Sequence, residues 1–178
     1  EMVGFVGNEP VLVRQETDNK LIVRFLGYDL CPDVVEEWVK RIENDKNNLY
    51  ADVELWIKKG YVDYICPQVY FGFKNVYQPF MFTVKKWVKL CENTNVDLYI
   101  GLPLYKANTK DEYAAENDSS IINEFKNNND IIARQITYIS KIDKIKGYYI
   151  FSYSQLSSEN AKDEVSNMYE VMQSNSQG

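Results

Sequence analysis

The residue types in this chain restrict the chemistry that it could perform. It contains no histidine, so Ser-His and Cys-His nucleophile pairs and the usual zinc ligands are excluded. Carboxylates, tyrosines, lysines and side-chain amides remain for any reaction. Cys31, Cys66 and Cys91 are odd in number and widely spaced, which favours buried free thiols over a disulfide framework or a metal site.

The candidate binding groups follow three short apolar segments at residues 61–66, 96–101 and 146–151. They are Gln68, Tyr70, Phe71 and Phe73 after the first segment, Tyr105 and Lys106 after the second, and Ser152 and Ser154 after the third. Gln and Ser hydrogen-bond sugar hydroxyls, aromatic rings offer stacking faces, and Lys holds an anionic group or lowers the pKa of a neighbouring acid. These groups are typical of the walls of a sugar site, and packing without a ligand is the alternative.

Side-chain alternation along a strand selects among these groups. Because every second side chain points to the same side, we favour Gln68 with Tyr70 as a same-face pair. Ser152 with Ser154 is a weaker pair of the same kind. Phe71 and Phe73 flank Gly72 in a loop, which suggests a stacking platform.

The acidic residues do not identify a catalytic group. Asp63 and Asp97 start their segments, which places them at the opposite end of a parallel sheet and favours roles in caps or ion pairs. Asp111, Glu112 and Glu116 lie in a long loop and could reach the active face, but a solvated charged loop is the favoured interpretation. The catalytic residue therefore stays unknown.

A repeated helix–strand pattern positions the candidate groups. Amphipathic helices are predicted at residues 51–59, 80–92 and 131–142, each followed within a few residues by one of the three apolar segments. This order predicts βα units with a parallel sheet, whose functional loops follow the carboxyl ends of the strands. Trp38, Trp56 and Trp87 fall on predicted helices and are expected to pack against the sheet.

The remaining elements are predicted at the two ends of the chain. Residues 11–14 and 21–25 resemble the strands of a β-hairpin, and residues 32–42 a helix with a proline near its start. Residues 158–172 are expected to form a closing helix, with a serine as its N-cap and acidic residues in its first turn.

The overall composition indicates a globular domain rather than a nucleic-acid-binding or membrane-spanning one. The chain has 178 residues, 45% of them apolar and 14% aromatic, with a formal charge of -6. An acidic surface disfavours contact with phosphate backbones, and no apolar run approaches the ~20 residues that span a bilayer. The fourteen tyrosines suit either sugar stacking or core packing.

From residue 49 onward the sequence resembles the bacterial glycosyl-hydrolase-like ten family, a set of extracellular (β/α)8 barrels in envelope proteins. The segments that carry the resemblance run in order through residues 49–56, 60–73, 79–80, 98–102, 105–106, 128–131, 134–135 and 147–154, together with Trp87. The resemblance implies that residues 49–178 form the carboxy-terminal part of a TIM barrel, with its last three strands. Residues 1–48 are then a separate segment, a hairpin plus a helix.

The resemblance also implies a function. We expect the chain to be part of a glycoside hydrolase-like protein, with lytic transglycosylase-like cleavage as a second form of the reaction. The protein is expected to act on cell-wall polysaccharide such as peptidoglycan, outside the cell. It is expected to need no metal or organic cofactor. The Asp-rich segment of the family pattern has no counterpart in this sequence, so the chain alone is expected to lack the complete catalytic set. The alternative is a noncatalytic module of a cell-surface protein that binds a glycan or a protein. An open half-barrel also needs further strands, supplied by another chain, a swapped copy or residues 1–48.

Overall fold

The computed structural model describes residues 2–6, 9–15, 21–25 and 51–175. The strands of this part of the chain form one mixed sheet in sequence order: β1 Met2–Val6, β2 Glu9–Gln15, β3 Leu21–Phe25, β4 Tyr64–Pro67, β5 Asp97–Pro103 and β6 Ile145–Phe151. β1, β2 and β3 pair antiparallel, whereas β3, β4, β5 and β6 pair as parallel neighbours. The predicted hairpin is confirmed, because β2 and β3 are its strands.

Helices connect the parallel strands, as the sequence pattern predicts. The described helices are α1 Val53–Lys59, α2 Phe80–Cys91, α3 Ser119–Ile122, α4 Glu124–Asn127, α5 Ile131–Ile139 and α6 Lys162–Asn175. The α/β class is therefore confirmed. The helix predicted at residues 32–42, with Cys31 and Trp38, lies outside the described residues.

The link from α1 to β4 shows how one glycine sets an element boundary. Gly60 adopts a left-handed conformation with φ 64°, and its N–H donates to the carbonyl of Ile57. The N–H of Tyr61 donates to the carbonyl of Trp56 at 2.9 Å, so Tyr61 belongs to the helix cap. For that reason β4 begins at Tyr64, three residues later than the apolar segment that starts at residue 61.

The core lies between the sheet and the helices. From β4 and β5 it takes Ile65, Leu98, Ile100 and Leu102, and from the helices it takes Ile57, Phe80, Val84, Trp87, Ile132, Ile136 and Ile139. Trp56 is partly buried against this cluster, so the expected helix-to-sheet packing of Trp56 and Trp87 is confirmed. Cys66 and Cys91 are buried thiols that form no disulfide, as predicted, and burial raises the pKa of Cys91 to about 11.

The closing helix α6 is anchored to α5 by one buried carboxylate. Glu164 accepts hydrogen bonds from the backbone N–H groups of Ile131, Ile132 and Ala133 at 3.0, 2.7 and 3.2 Å. These N–H groups form the first turn of α5, where no helical carbonyl is within reach. Glu164 therefore caps a helix from another part of the chain. Within the described residues, no helix has the length and apolar character that crossing a bilayer requires.

Candidate functional site

The face of the parallel strands that lies opposite the helices carries aromatic rings. Tyr64, Tyr99 and Tyr149 meet edge to face across β4, β5 and β6, with ring centroids 5.6 Å apart at both contacts. Tyr149 is 50% exposed and Phe151, two residues further along the same strand, is 52% exposed. We call this side of β4, β5 and β6 the aromatic face.

Two further rings, Tyr70 and Tyr105, meet Phe151 where the strands end. Tyr70 stacks on Phe151 with centroids 5.8 Å apart, and Tyr105 contacts both rings edge to face at 5.6 and 5.8 Å. We call Tyr70, Tyr105 and Phe151 the aromatic trio. Its members come from the loop after β4, the turn after β5 and the end of β6, so the fold itself brings together residues that are far apart in sequence.

A cavity of about 170 Å³ opens on the aromatic face. Its lining residues are Tyr64, Cys66, Gln68, Tyr70, Gly101, Tyr149, Ile150 and Phe151. Gln68 is half-buried and pairs with Gly101 of β5 in an isolated parallel bridge. A side chain at position 101 would crowd the backbone of β4, since a Cβ there would lie 3.1 Å from the Pro67 carbonyl and 3.3 Å from Gln68 Cα. Glycine at this position therefore leaves room for both the strand end and the cavity.

Lys106 lies behind the aromatic trio. Its Nζ donates to the backbone carbonyl of Tyr70 at 2.7 Å and to Asp111 Oδ2 at 2.8 Å. The Asp111 side chain is 4% exposed and that of Lys106 is 15% exposed. Lys106, which was expected to hold an anionic group, therefore already donates to two acceptors of its own chain.

The structure separates the two phenylalanines of the expected stacking platform. Phe71 is 5% exposed and belongs to the hydrophobic core, so its ring has no open face. Phe73 is half-buried, meets Phe80 edge to face at 5.3 Å and lies under the Arg134 guanidinium at 5.2 Å. Of the two, only Phe73 keeps surface near the strand ends.

Ser152 and Ser154 lie together beyond β6. Their hydroxyl oxygens are 3.0 Å apart and share a hydrogen bond. The peptide bond between Phe151 and Ser152 is cis. The cavity lining includes Gln68 and Tyr70 but neither of the two serines.

The buried acids near the strand ends bind to the protein itself. Glu124 accepts from the N–H groups of Phe73 and Lys74 at 3.1 and 2.9 Å, and Asp111 pairs with Lys106. Asp63 directly precedes β4 and Asp97 begins β5, so both lie at the opposite end of the strands from the candidate groups, and the Asp97 N–H donates to the Asp63 carbonyl there. Glu112 and Glu116 are exposed in the loop after β5.

Tyr64, Tyr99, Tyr149 and Phe151 were missed as site residues by the sequence analysis. Tyr149 and Phe151 alternate with Tyr148 and Ile150, so the period of two in β6 was the available signal. The predicted groups all lie beyond the strands, whereas the cavity also extends along them.

A polar groove of about 360 Å³ lies away from the aromatic face, and its lining includes Asn108, Asn127, Asn160 and Asp163. Across the described part of the chain, no cluster of three or more His, Cys, Asp or Glu side chains is arranged to hold a metal ion.

Comparison with known proteins finds similarity to one family and to several proteins that are named glycosyl hydrolases. The model of a family described as glycosyl hydrolase-like 10 matches residues 27–119, slightly more than half of the chain. Glycosyl hydrolase YngK of Bacillus subtilis strain 168 is 29% identical over 110 residues, which cover 62% of this chain. Glycosyl hydrolase DigH of Escherichia coli K12 is 37% identical over 57 residues, which cover 32% of this chain. The matches span only 19% and 13% of the lengths of these two relatives.

Proposed function

The chain belongs to the glycosyl hydrolase-like 10 family, and on that premise we propose that its aromatic face binds sugar rings as one wall of a glycoside hydrolase site. In this proposal the parallel strands are the carboxy-terminal part of a (β/α)8 barrel. The aromatic face is then the interior of the barrel near its mouth. Sugar rings stack on the aromatic trio while their hydroxyl groups hydrogen-bond to Gln68.

The observation that carries this proposal is the cavity beside the aromatic trio. It combines exposed ring faces with one side-chain amide, at the carboxyl ends of parallel strands, where α/β proteins place their ligands. Flat rings contact the apolar CH faces of a sugar, and an amide both donates to and accepts from hydroxyl groups. The cavity of about 170 Å³ suits part of one sugar unit rather than a whole oligosaccharide.

We propose bacterial cell-wall polysaccharide, peptidoglycan included, as the substrate, with hydrolysis or a lytic transglycosylase-like cleavage as the reaction. The resemblance to envelope proteins supports this substrate and a location outside the cell or in the cell wall. Cleavage of a glycosidic bond needs a carboxylic acid that protonates the leaving oxygen. In this proposal that acid comes from outside the described residues, because each buried acid near the strand ends is bound to its own chain.

We further propose that β6 pairs with a strand outside the described residues. In the described sheet β6 is an edge strand of seven residues, and its backbone pairs only with β5. An edge of that length with exposed rings beside it favours pairing with another strand. The strand would come from another chain, a swapped copy or the part of residues 1–48 outside the described ranges, and it would close the barrel interior over the aromatic face.

Replacement of Gln68 tests the sugar site. We expect Gln68→Ala to weaken binding of peptidoglycan glycan fragments about fivefold, the effect of one lost hydrogen bond of about 1 kcal/mol, in a calorimetric titration. Gln173→Ala is the matched control, because Gln173 is exposed on α6 and should leave the affinity unchanged. Equal affinities of the wild-type chain and Gln68→Ala would count against the site.

The second candidate function is a noncatalytic glycan-binding module. It is favoured by one observation: none of the described residues that line the cavity carries a carboxylate. Incubation of purified peptidoglycan with the completed barrel, in which the further strand is present, separates the two functions. Released muropeptides would support the enzyme, whereas binding without products would support the module.

A further inference from the structure

Two neighbouring side chains of the turn Leu104–Lys106 contact Tyr70 from different sides. The Tyr105 ring meets the rings of Tyr70 and Phe151, while the Lys106 ammonium reaches the backbone carbonyl of Tyr70 at 2.7 Å. Tyr70 is thus held twice by the segment after β5, once through its ring and once through its carbonyl. Lys106 and Tyr70 are 36 positions apart in the chain, so this contact joins two of the strand-end loops.

The charge of Lys106 is balanced inside the protein. Asp111 Oδ2 accepts from Lys106 Nζ at 2.8 Å, and both side chains are largely removed from solvent. Burial of a partly desolvated ammonium is costly unless acceptors surround it. The Asp111 N–H also donates to the Ile122 carbonyl at 2.8 Å, which ties the carboxylate to the rest of the loop.

We propose that Lys106 is a positioning residue that fixes Tyr70 within the aromatic trio and thereby preorganises the sugar site. This inference rests on the proposed function. Asp111 orients the ammonium, the ammonium holds the Tyr70 carbonyl, and the carbonyl sets the direction in which the Tyr70 ring leaves the loop. Lys106 therefore acts through Tyr70 and contacts no ligand, in contrast to the anion-binding role expected from the sequence.

The geometry favours this role over direct contact with an anionic group. Two of the three ammonium protons of Lys106 are already directed at the Tyr70 carbonyl and at Asp111. A negative ligand would also approach the Asp111 carboxylate and be repelled by it. Positioning and direct contact predict different responses to ligand charge, so they can be separated by experiment.

The experiment compares two glycans and three variants. Lys106→Met keeps the length and apolar stem of the side chain but removes its charge, and Lys106→Arg restores a cation. Lys110→Met is the matched control, because Lys110 pairs with Glu112 at 3.9 Å in an exposed position of the same loop. Affinity is measured for a neutral N-acetylglucosamine tetramer and for peptide-free peptidoglycan strands, which carry carboxylates. Near-ultraviolet circular dichroism reports the packing of the tyrosine rings.

Positioning predicts that Lys106→Met loses about tenfold in affinity for both glycans, because a mobile Tyr70 ring must be ordered on binding. The near-ultraviolet signal should fall while the far-ultraviolet signal stays, and Lys106→Arg should recover most of the affinity. A loss confined to the carboxylate-bearing strands, or an unchanged near-ultraviolet signal, would overturn the inference.

Two further results keep the tests distinct. If the wild-type chain binds neither glycan, the proposed function fails, and the near-ultraviolet signal of Lys106→Met alone decides whether Lys106 orders the rings. If Lys106→Met does not fold, Asp111→Asn replaces it, since the ammonium then keeps the Tyr70 carbonyl but loses its orienting charge. A smaller loss of the same pattern supports positioning, and unchanged ring packing in Asp111→Asn contradicts it.

Discussion

The two faces of the parallel strands are built from different kinds of side chain. On β4 and β5 the helix-covered face carries aliphatic residues that are completely buried, among them Ile65, Leu98 and Ile100. The aromatic face carries rings that contact one another, and two of them, Tyr149 and Phe151, keep about half of their surface exposed. Alternate residues of one strand therefore serve packing and surface exposure separately.

The two faces are therefore expected to contribute differently to folding stability and to ligand binding. Burial of aliphatic side chains supplies the main favourable free energy of folding, so the helix-covered face should dominate the free energy of unfolding. Half-exposed rings contribute less to folding but retain surface that a ligand can cover. Substitutions on the two faces should accordingly affect different measurements.

The largest effect is expected on the helix-covered face. Leu98 is completely buried in β5, and Leu98→Ala should lower the free energy of unfolding by about 3 kcal/mol through lost burial and a residual cavity. Urea denaturation followed by circular dichroism measures this change. A loss below about 1 kcal/mol would contradict the assignment of the core to this face.

Glu164 makes a buried polar contact between two helices, and its removal is expected to have the second largest effect on stability. Glu164→Ala leaves three backbone N–H groups of α5 without their acceptor, and we expect a loss of about 2.5 kcal/mol in urea denaturation. Glu170→Ala, at an exposed position of the same helix, is the control and should change the free energy of unfolding by less than about 0.5 kcal/mol.

The effect of Glu164 should also depend on pH. Burial raises the pKa of this carboxyl above its ordinary value of 4.5, although the backbone N–H groups of Ala133, Ile132 and Ile131 oppose the shift. The folded chain then holds the proton more tightly than the unfolded chain. The difference between wild type and Glu164→Ala should therefore be largest below the ordinary pKa and shrink as the pH rises through the raised one. A difference that grows with pH would show the opposite shift.

Replacement of Gly72 tests the packing of the loop that follows β4. A Cβ at this position would lie 2.1 Å from Glu124 Oε2, so Gly72→Ala must displace the buried carboxylate from the N–H groups of Phe73 and Lys74. We expect a loss of about 2 kcal/mol in the free energy of unfolding.

The double variant Gly72→Ala/Glu124→Ala provides the control for this steric cause. Glu124→Ala removes the atom that the new methyl group meets, so the two losses should not add. Additive losses would mean that Gly72 is needed for another reason, such as the close approach of the new methyl group to the Phe125 ring, 3.4 Å from the added Cβ.

The order of helices and strands could be predicted from the sequence because it depends on local signals. Apolar periodicity and Gly60 mark α1 and β4 through residues only a few positions apart. The site was less accessible. The contact of Lys106 with Tyr70 and the contact of Glu124 with Phe73 join residues 36 and 51 positions apart, and only tertiary packing selects such partners. The burial of Phe71 continues the alternation of Ile65 and Val69 beyond the strand, which its assignment to a loop obscured.

The smallest effect on stability is expected on the aromatic face. Tyr149 is half exposed and contacts Tyr99 edge to face, so Tyr149→Ala should lower the free energy of unfolding by only about 1 kcal/mol. The same substitution removes part of the cavity lining, and affinity for the glycan fragments should fall about fivefold in a calorimetric titration.

Tyr61→Ala is the matched control for this last prediction, because Tyr61 is also 50% exposed but lies before β4, at the other end of the strands. It should leave glycan affinity unchanged. If Tyr149→Ala instead destabilised the chain as strongly as Leu98→Ala and left affinity intact, the aromatic face would be a packing surface. The division of the two faces into folding and binding would then be wrong, because the exposed rings would contribute mainly to the free energy of unfolding.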